Sequence, residues 1–177
     1  HLMIQLQQLD NDKFLIQRAL LQKDTPVLID MDKIYRYKLG DDTQNITDLI
    51  KEDSTAVSLW YSNLFYTQSS LVLNYEDNHI NGYTFCLMTS NNNYHGKIDY
   101  PSNNLEIVEK GKAISVMTIY KNEVSFKLLE SLINASLVKY PEYCIKSEPF
   151  TRLVTSFSDE LCEKVNVVEL VIPVKKR

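Results

Sequence analysis

The stretch that decides the fold runs from Glu109 to Ile133 and reads EKGKAISVMTIYKNEVSFKLLESLI. Its first part, Lys112 to Tyr120, is a nearly continuous apolar run and predicts a strand. Its second part carries apolar residues at helical spacing and predicts a helix; these residues are Val124, Leu128, Leu129, Leu132, Ile133 and, just beyond the stretch, Ala135. We expect Asn122 to cap that helix, Glu123 to lie in its first turn and Pro141 to end it.

Two more strands are predicted after this helix. The first covers Tyr143 to Phe157 with a break at Pro149, and the second covers Val165 to Val174. Alternate residues of the last strand are apolar on one side, and this parity predicts a sheet with one buried face; they are Val168, Leu170, Ile172 and Val174.

The same order of elements is found earlier in the chain. Met31 to Leu39 alternates like a strand, and Asn45 opens a helical pattern whose apolar members are Ile46, Leu49, Ile50, Val57, Trp60 and Leu64. Ser70 to Tyr75 and Tyr83 to Met88 then predict two strands, joined by a loop that ends in Asn81-Gly82, which is a hairpin signal. Strand, helix, strand, strand is therefore written twice.

These patterns predict an α+β fold made of a duplicated β-α-β-β repeat. Each copy has too little core to stand alone, so we expect one joined antiparallel sheet with two helices on one face and a central cleft between the repeats. Repeat one is expected at 31–89, an Asn-rich linker at 90–104 and repeat two at 105–174, all within one domain at 27–177.

An additional N-terminal helix is predicted at 1–24. Its apolar residues follow alternating steps of four and three, with Lys13 at one position of the stripe; they are Leu2, Leu6, Leu9, Ile16 and Leu20. Thr25-Pro26 should end the helix. Two interpretations remain open, namely packing against its own domain and the end of an interdomain coiled coil.

Composition excludes several classes of function. A net charge of -4 over 177 residues lacks the basic surface that nucleic acid requires. The three cysteines, Cys86, Cys144 and Cys162, have no pairing or metal-ligand spacing, so we expect no disulfide framework, no metal and no cofactor. The sequence contains no membrane-spanning run, and we expect no signal peptide and a cytoplasmic location.

The second half resembles the effector-binding family that includes GyrI-like proteins and forms the C-terminal sensor of many MerR-type and AraC-type regulators. The resemblance rests on Lys110-Gly111 before the central strand, on Glu123, and on Glu169-Leu170-Val171-Ile172-Pro173 in the last strand. It covers about Leu105 to Val174 well, whereas Met31 to Thr89 agrees only in the order of elements.

The resemblance implies an aromatic pocket between the repeats, often with one buried acidic residue that attracts lipophilic cations and gives multidrug binding. The acidic residue usually follows the aromatic of the penultimate strand; here Phe150 is followed by Thr151, which carries no charge. Glu169, in a row with valines, is the expected substitute. The predicted ligand-binding residues are Trp60, Tyr120, Phe150, Thr151, Glu169, Thr118 and Phe126.

We therefore expect the sensor domain of a bacterial transcription regulator that binds a small lipophilic or amphipathic effector. DNA would be contacted only through a preceding domain, and the full-length protein would be a homodimer. The expected protein is not an enzyme, because no nucleophile and base are paired in the sequence. Two alternatives for a stand-alone GyrI-like protein are a small hydrolase and a protein-binding inhibitor.

Overall fold

The computed structural model describes residues 2–40, 68–90 and 105–177. Within them the fold is α+β. The helices are α1 (Leu2–Leu21) and α2 (Phe126–Lys139), and the strands are β1 (Val27–Met31), β2 (Ile34–Gly40), β3 (Gln68–Glu76), β4 (His79–Ser90), β5 (Leu105–Val108), β6 (Gly111–Lys121), β7 (Tyr143–Ile145), β8 (Phe150–Ser158) and β9 (Lys164–Lys176).

The strands form one antiparallel sheet in the order β1-β6-β9-β8-β3-β4-β2-β5, and the short β7 pairs with the end of β9. This order is symmetric about its centre. Replacing each strand by its counterpart in the other half, β1 by β5, β6 by β2, β9 by β4 and β8 by β3, gives the same order read backwards. The predicted duplication is therefore present in the topology. The first strand of each half pairs with the other half, because β1 pairs with β6 and β5 pairs with β2.

One face of the sheet packs against α2. Leu129 and Ile133 of α2 lie with Ile114 of β6 and Leu170 of β9 in a fully buried cluster. The helix begins later than predicted, because Ser125 is its N-cap and its Oγ accepts a hydrogen bond from Leu128 N at 3.2 Å. The predictions for Asn122 as the cap and for Glu123 in the first turn are wrong.

The opposite face is buried as well. A second cluster there includes Met31, Met88, Phe150 and Val171, and the C-terminal half of α1 covers the sheet beside it. β9 is buried on both sides from Val165 to Val174, so the prediction of a single buried face is wrong for this strand. Its central position, between β6 and β8, is the reason.

The hairpin between β3 and β4 turns earlier than predicted. Asp77 and Asn78 form the turn with φ of 51° and 66°, values that Asp and Asn tolerate well. Asn81-Gly82 lies inside β4, and Gly82 pairs with Asn74 next to a register shift. The Asn-Gly pair therefore marks an irregularity in the strand and not its turn.

Two strands were not predicted. The strand predicted at Met31 to Leu39 is β2, which begins at Ile34, whereas β1 precedes it, pairs with β6 and had no strand prediction. β5 pairs with β2 and had no strand prediction. The predicted helix from Asn45 to Leu64 and residues 91–104 of the predicted linker at 90–104 lie outside the described residues, and Ser90 is the last residue of β4. Neither described helix is long and apolar enough to cross a bilayer.

Candidate ligand-binding cleft

The two halves of the sheet meet along a short seam between β3 and β8. One register pair joins them, Val72 with Phe150, and Leu73 N donates to Pro149 O at 2.8 Å. Next to this pair the amide of Leu71 donates to the Thr151 side-chain oxygen at 3.2 Å. No further register pair connects the two strands in the described residues, so the halves separate beyond Thr151.

A cleft of about 760 Å³ lies where the strands separate, on the face that carries α2. Both halves contribute to its walls: β3 and β4 from the first, and β6, β8, β9 and the start of α2 from the second. The lining residues are Ser69, Ser70, Leu71, Tyr83, Phe85, Tyr120, Asn122, Glu123, Val124, Phe126, Thr151, Leu153, Lys164, Asn166 and Val168.

Four aromatic side chains contribute to the apolar part of the cleft. The rings of Tyr83 and Phe126 are stacked across the two halves, with centroids 5.2 Å apart and planes inclined by 20°. Phe85 lies two residues along β4 on the same side as Tyr83, and Tyr120 faces the cleft from β6. Burial raises the pKa of Tyr120, so its hydroxyl stays protonated at neutral pH and can donate a hydrogen bond.

Seven of the fifteen lining residues are serine, threonine, asparagine, glutamate or lysine, and the buried Ser70 hydroxyl has no hydrogen-bond partner. Asn166 accepts from Ser156 Oγ at 2.8 Å and donates to Asn122 O at 3.2 Å. Thr151, which accepts from the Leu71 amide, keeps its own hydroxyl hydrogen available. The lining includes one carboxylate and one ammonium, those of Glu123 and Lys164, and both residues are exposed.

The structure brings three of the predicted ligand residues together at this cleft, namely Tyr120, Phe126 and Thr151. Thr118 lies on the same face of β6 as Tyr120 but is fully buried and is not part of the lining, and its Oγ1 has no hydrogen-bond partner. Trp60 lies outside the described residues.

Phe150 and Glu169 lie on the opposite face of the sheet. Phe150 is fully buried, and the guanidinium carbon of Arg36 is 5.4 Å from its ring centroid. Their ligand-binding roles stay predictions that this cleft does not support, because neither side chain faces it.

Glu169 is held by a buried network of polar groups. Its carboxylate accepts from Ser115 Oγ at 2.7 Å and from Arg152, and Arg18 of α1 lies 3.9 Å away. Arg18 also donates to Ser115 Oγ and O, at 3.0 and 2.8 Å. Burial lowers the pKa of Arg18, and the nearby Glu169 charge offsets part of that effect. The carboxylate thus joins α1 to the sheet.

Sequence reasoning missed the contribution of the first half to the cleft. Tyr83, Phe85 and Leu71 line it, although none was in the predicted set. The alternation of β4 could have found the two aromatics, since residues 83 and 85 must share a face. The described residues include no group of His, Cys, Asp and Glu that could hold a metal ion, and the three cysteines are free.

Comparison with solved structures identifies the fold. The C-terminal domain of EcmrR superposes with a TM-score of 0.50 and 14% identity, over 86% of this chain and 98% of that one. EcmrR in its complex with DNA gives a TM-score of 0.50 and 13% identity, over 99% of this chain and 66% of that one. A hydrolase from Listeria innocua gives 0.51 and 8%, over 90% and 96%.

The chain therefore has the GyrI-like α+β fold of these structures, and the predicted fold is confirmed. The low identities mean that these likenesses establish the architecture alone. No protein-family model matches the sequence, and no curated protein matches it.

Proposed function

We propose that this chain is the ligand-binding domain of a bacterial transcription regulator and that its cleft binds a small amphipathic molecule. The observation that carries the proposal is the cleft of about 760 Å³ between the two halves. Its size falls within the range of about 300–1,000 Å³ that is typical of small-molecule sites. Its walls combine a stacked aromatic pair with a few hydroxyl and amide groups, which suits a ligand with an apolar body and a polar end.

The charges of the cleft favour a neutral ligand over a lipophilic cation. A cation in a desolvated site needs a nearby carboxylate as its partner, and the aromatic faces of the cleft supply only the weaker cation–π attraction. Glu123 is the carboxylate of the described lining, but it is exposed, and exposed Lys164 contributes the opposite charge. Thr151, at the position where the related family usually has an acid, offers hydrogen bonding instead. We therefore assign the cleft a neutral ligand with an aromatic ring and a hydrogen-bonding group.

We assign DNA contact to a part of the regulator other than these residues. EcmrR binds DNA, and this chain spans 66% of the EcmrR chain in that complex. A ligand would act by binding one arrangement of the two halves more tightly than another, since only differential affinity shifts an equilibrium. Through the Arg18–Glu169 contact, α1 would pass this change to the DNA-binding part of a cytoplasmic homodimer.

Fluorescence titration with N-phenyl-1-naphthylamine, a neutral aromatic amine, tests the proposal directly. We expect saturable binding with a dissociation constant of about 1–100 µM, a range typical of an unoptimised ligand. Tyr83→Ala removes half of the stacked pair and should weaken binding about tenfold. Tyr75→Ala, on the same hairpin but away from the cleft lining, is the matched control and should leave binding unchanged.

A wider panel defines the outcomes. Isothermal titration should add a lipophilic quaternary ammonium ion and an aromatic sulfonate, and both should bind more weakly than the neutral amine. If none of the compounds in the panel binds measurably, the proposal is overturned. Tight binding of the cation alone would overturn the assignment of a neutral ligand.

Catalysis is the second candidate, because a protein named as a hydrolase shares this fold. Hydrolysis needs a positioned base and a nucleophile or an activated water. The described lining of the cleft contributes no histidine and no cysteine, and its carboxylate is exposed. We therefore favour binding over turnover. Ester hydrolysis by the purified protein that Glu123→Gln abolishes would support the hydrolase instead. The predicted role as a protein-binding inhibitor stays a prediction.

A further inference from the structure

A second cavity lies on the other face of the sheet, remote from the cleft. Its volume is about 250 Å³, and it is bounded by the end of β1, β2, β5, the start of β6 and the segment between β7 and β8. Its polar lining includes Arg36, Glu106, Lys112, Lys146 and Ser147, and we call it the Arg36 pocket. A water molecule occupies about 30 Å³ in the liquid, so the pocket has room for a small solute.

The central group of the Arg36 pocket is a buried guanidinium with unused donors. Arg36 is 1% exposed and is among the largest fully buried side chains of the described chain. Its Nη2 forms an ion pair with Glu106 at 2.9 Å, but its Nε and Nη1 have no partner. Three N–H groups of a charged side chain are thus left without an acceptor, and such groups cost free energy when they are buried.

The neighbouring groups also lack an acceptor. Ser147 Oγ is buried without a hydrogen-bond partner. The Lys146 ammonium forms no ion pair in the described residues, and its Nζ lies 3.6 Å from where a Cβ on Gly111 would stand. Lys112 is neutralised by Asp30 at 2.7 Å and is therefore the least available cation.

The carboxylates of the pocket do not meet this demand. Glu106 is divided between Arg36 and Lys38, whose Nζ is 3.7 Å from the same oxygen, and its side chain is 41% exposed. Glu109 is exposed and forms no ion pair in the described residues. The unpartnered atoms here are Arg36 Nε and Nη1 and Ser147 Oγ, which can donate, and Glu106 Oε2, an acceptor that is already ion-paired with Arg36 and Lys38. Donors are therefore in excess, and the missing partner is an acceptor. Oxyanions match guanidinium and ammonium groups better than any neutral acceptor does.

We propose that the Arg36 pocket binds a small oxyanion, either the carboxylate of an organic acid or a phosphate group. Arg36 and Lys146 supply the charge, and Ser147 supplies a hydrogen bond. The site is separated from the cleft by the sheet, because Arg36 belongs to the face opposite α2. This proposal does not depend on the proposed function, and either can fail without the other.

Inorganic phosphate and acetate are the probes, each titrated into the full chain with NMR and thermal unfolding as readouts. We expect one saturable site with millimolar affinity, a rise in melting temperature with probe concentration, and a shift of the Arg36 Nε–H resonance. Response to phosphate alone assigns the natural ligand to the phosphates, and response to acetate alone assigns it to the carboxylic acids.

Two variants and one control make the test specific. Arg36→Met should abolish binding and still fold, because an apolar chain of similar length replaces a buried charge at little cost. Lys146→Gln keeps Arg36 and should weaken binding about tenfold, the value of one hydrogen bond to a charged group. Lys127→Gln removes the same charge from the exposed side of α2 and should change nothing.

The proposal is overturned by any of three results. The first is the absence of saturable binding by both probes at about 10 mM, a concentration well above the expected dissociation constant. The second is binding that survives Arg36→Met. The third is equal weakening by Lys146→Gln and Lys127→Gln, which would indicate a general effect of surface charge.

Discussion

Glu169 carries its charge in the buried interior of the molecule, where an unpaired charge is energetically unfavourable. It is 1% exposed and links its own strand, β9, to three other elements. The links are to β6 through Ser115, to β8 through Arg152 and to α1 through Arg18. Without this carboxylate its arginine partners would lose their counter-charge. Within the described fold its role is therefore to hold four elements in register.

Replacing Glu169 with Gln should be strongly destabilising. The substitution preserves size but leaves Arg18 and Arg152 without their counter-charge, and breaking a buried pair in this way costs about 3–5 kcal/mol. Because the Arg152 side chain is 24% exposed, we expect the lower end of that range. Urea unfolding measures the loss. Glu160→Gln, at an exposed position, is the control and should stay within about 0.5 kcal/mol of the parent chain.

At the scale of elements, α1 is docked by its C-terminal half. Ala19 is 1% exposed and packs with Met117 and Val167, whereas the next residue, Leu20, is 72% exposed. The side that contacts the sheet is thus not the stripe that sequence periodicity selected, which includes Lys13 and Leu20. The helix packs on its own domain through one side, and of the stripe Lys13 and Leu20 are exposed whereas Ile16 is half-buried.

Substitution of Ala19 should therefore release α1, and substitution of its neighbour should not. Ala19→Glu places an unpaired carboxylate against Met117 and should lower the free energy of unfolding by about 3 kcal/mol. Leu20→Glu adds the same charge to the same turn of helix and should be nearly neutral. Hydrogen exchange of the α1 amides distinguishes undocking from global loss of stability. Equal destabilisation by the two variants would contradict this account of the docking.

Helices and strands were predictable from the sequence where the spacing of apolar residues followed one helical or strand period without interruption. β6, α2, β8 and β9 agree with their predicted positions within a few residues, because their apolar spacing is regular. Turns were less predictable. Both Asp77-Asn78 and Asn81-Gly82 are suitable residues for the turn of this hairpin. Which pair forms the turn depends on which register of β3 with β4 buries more of both strands. That pairing is decided by tertiary packing, which local sequence does not encode.

At the scale of the whole molecule, the duplication and the cleft were predictable, but the composition of the site was not. Neighbouring side chains of a strand point to opposite sides, so Phe150 and Thr151 face opposite surfaces of the sheet. The same rule separates Glu169 from Val168, which does line it. The predicted set mixed two faces, and strand alternation alone could have divided it. Alternation also places the two aromatics of β4 on one face, but that this face borders the cleft follows from the contact between β3 and β8, which are distant in sequence.

The seam between the two halves should be the most easily opened part of the sheet near the cleft. Leu71 N donates to Thr151 Oγ1, so Thr151→Val removes the acceptor while preserving shape. We expect faster hydrogen exchange at the Leu71 amide and a loss of about 1–2 kcal/mol, the usual cost of an orphaned donor. The Leu73 amide, which donates to Pro149 O, should keep its protection. Thr155→Val, farther along β8, is the control.

A ligand bound in the cleft should stabilise this seam, whereas Thr151→Val weakens it. Thr151 both closes the seam and lines the cleft, so a bound molecule that contacts β3 and β8 together favours the closed arrangement. Saturating N-phenyl-1-naphthylamine should therefore slow exchange at Leu71 in the parent chain, and the Thr151→Val variant should bind it more weakly. If Leu71 exchanges at the same rate with and without the ligand, the two halves do not respond to occupancy, and the cleft would not signal through their junction.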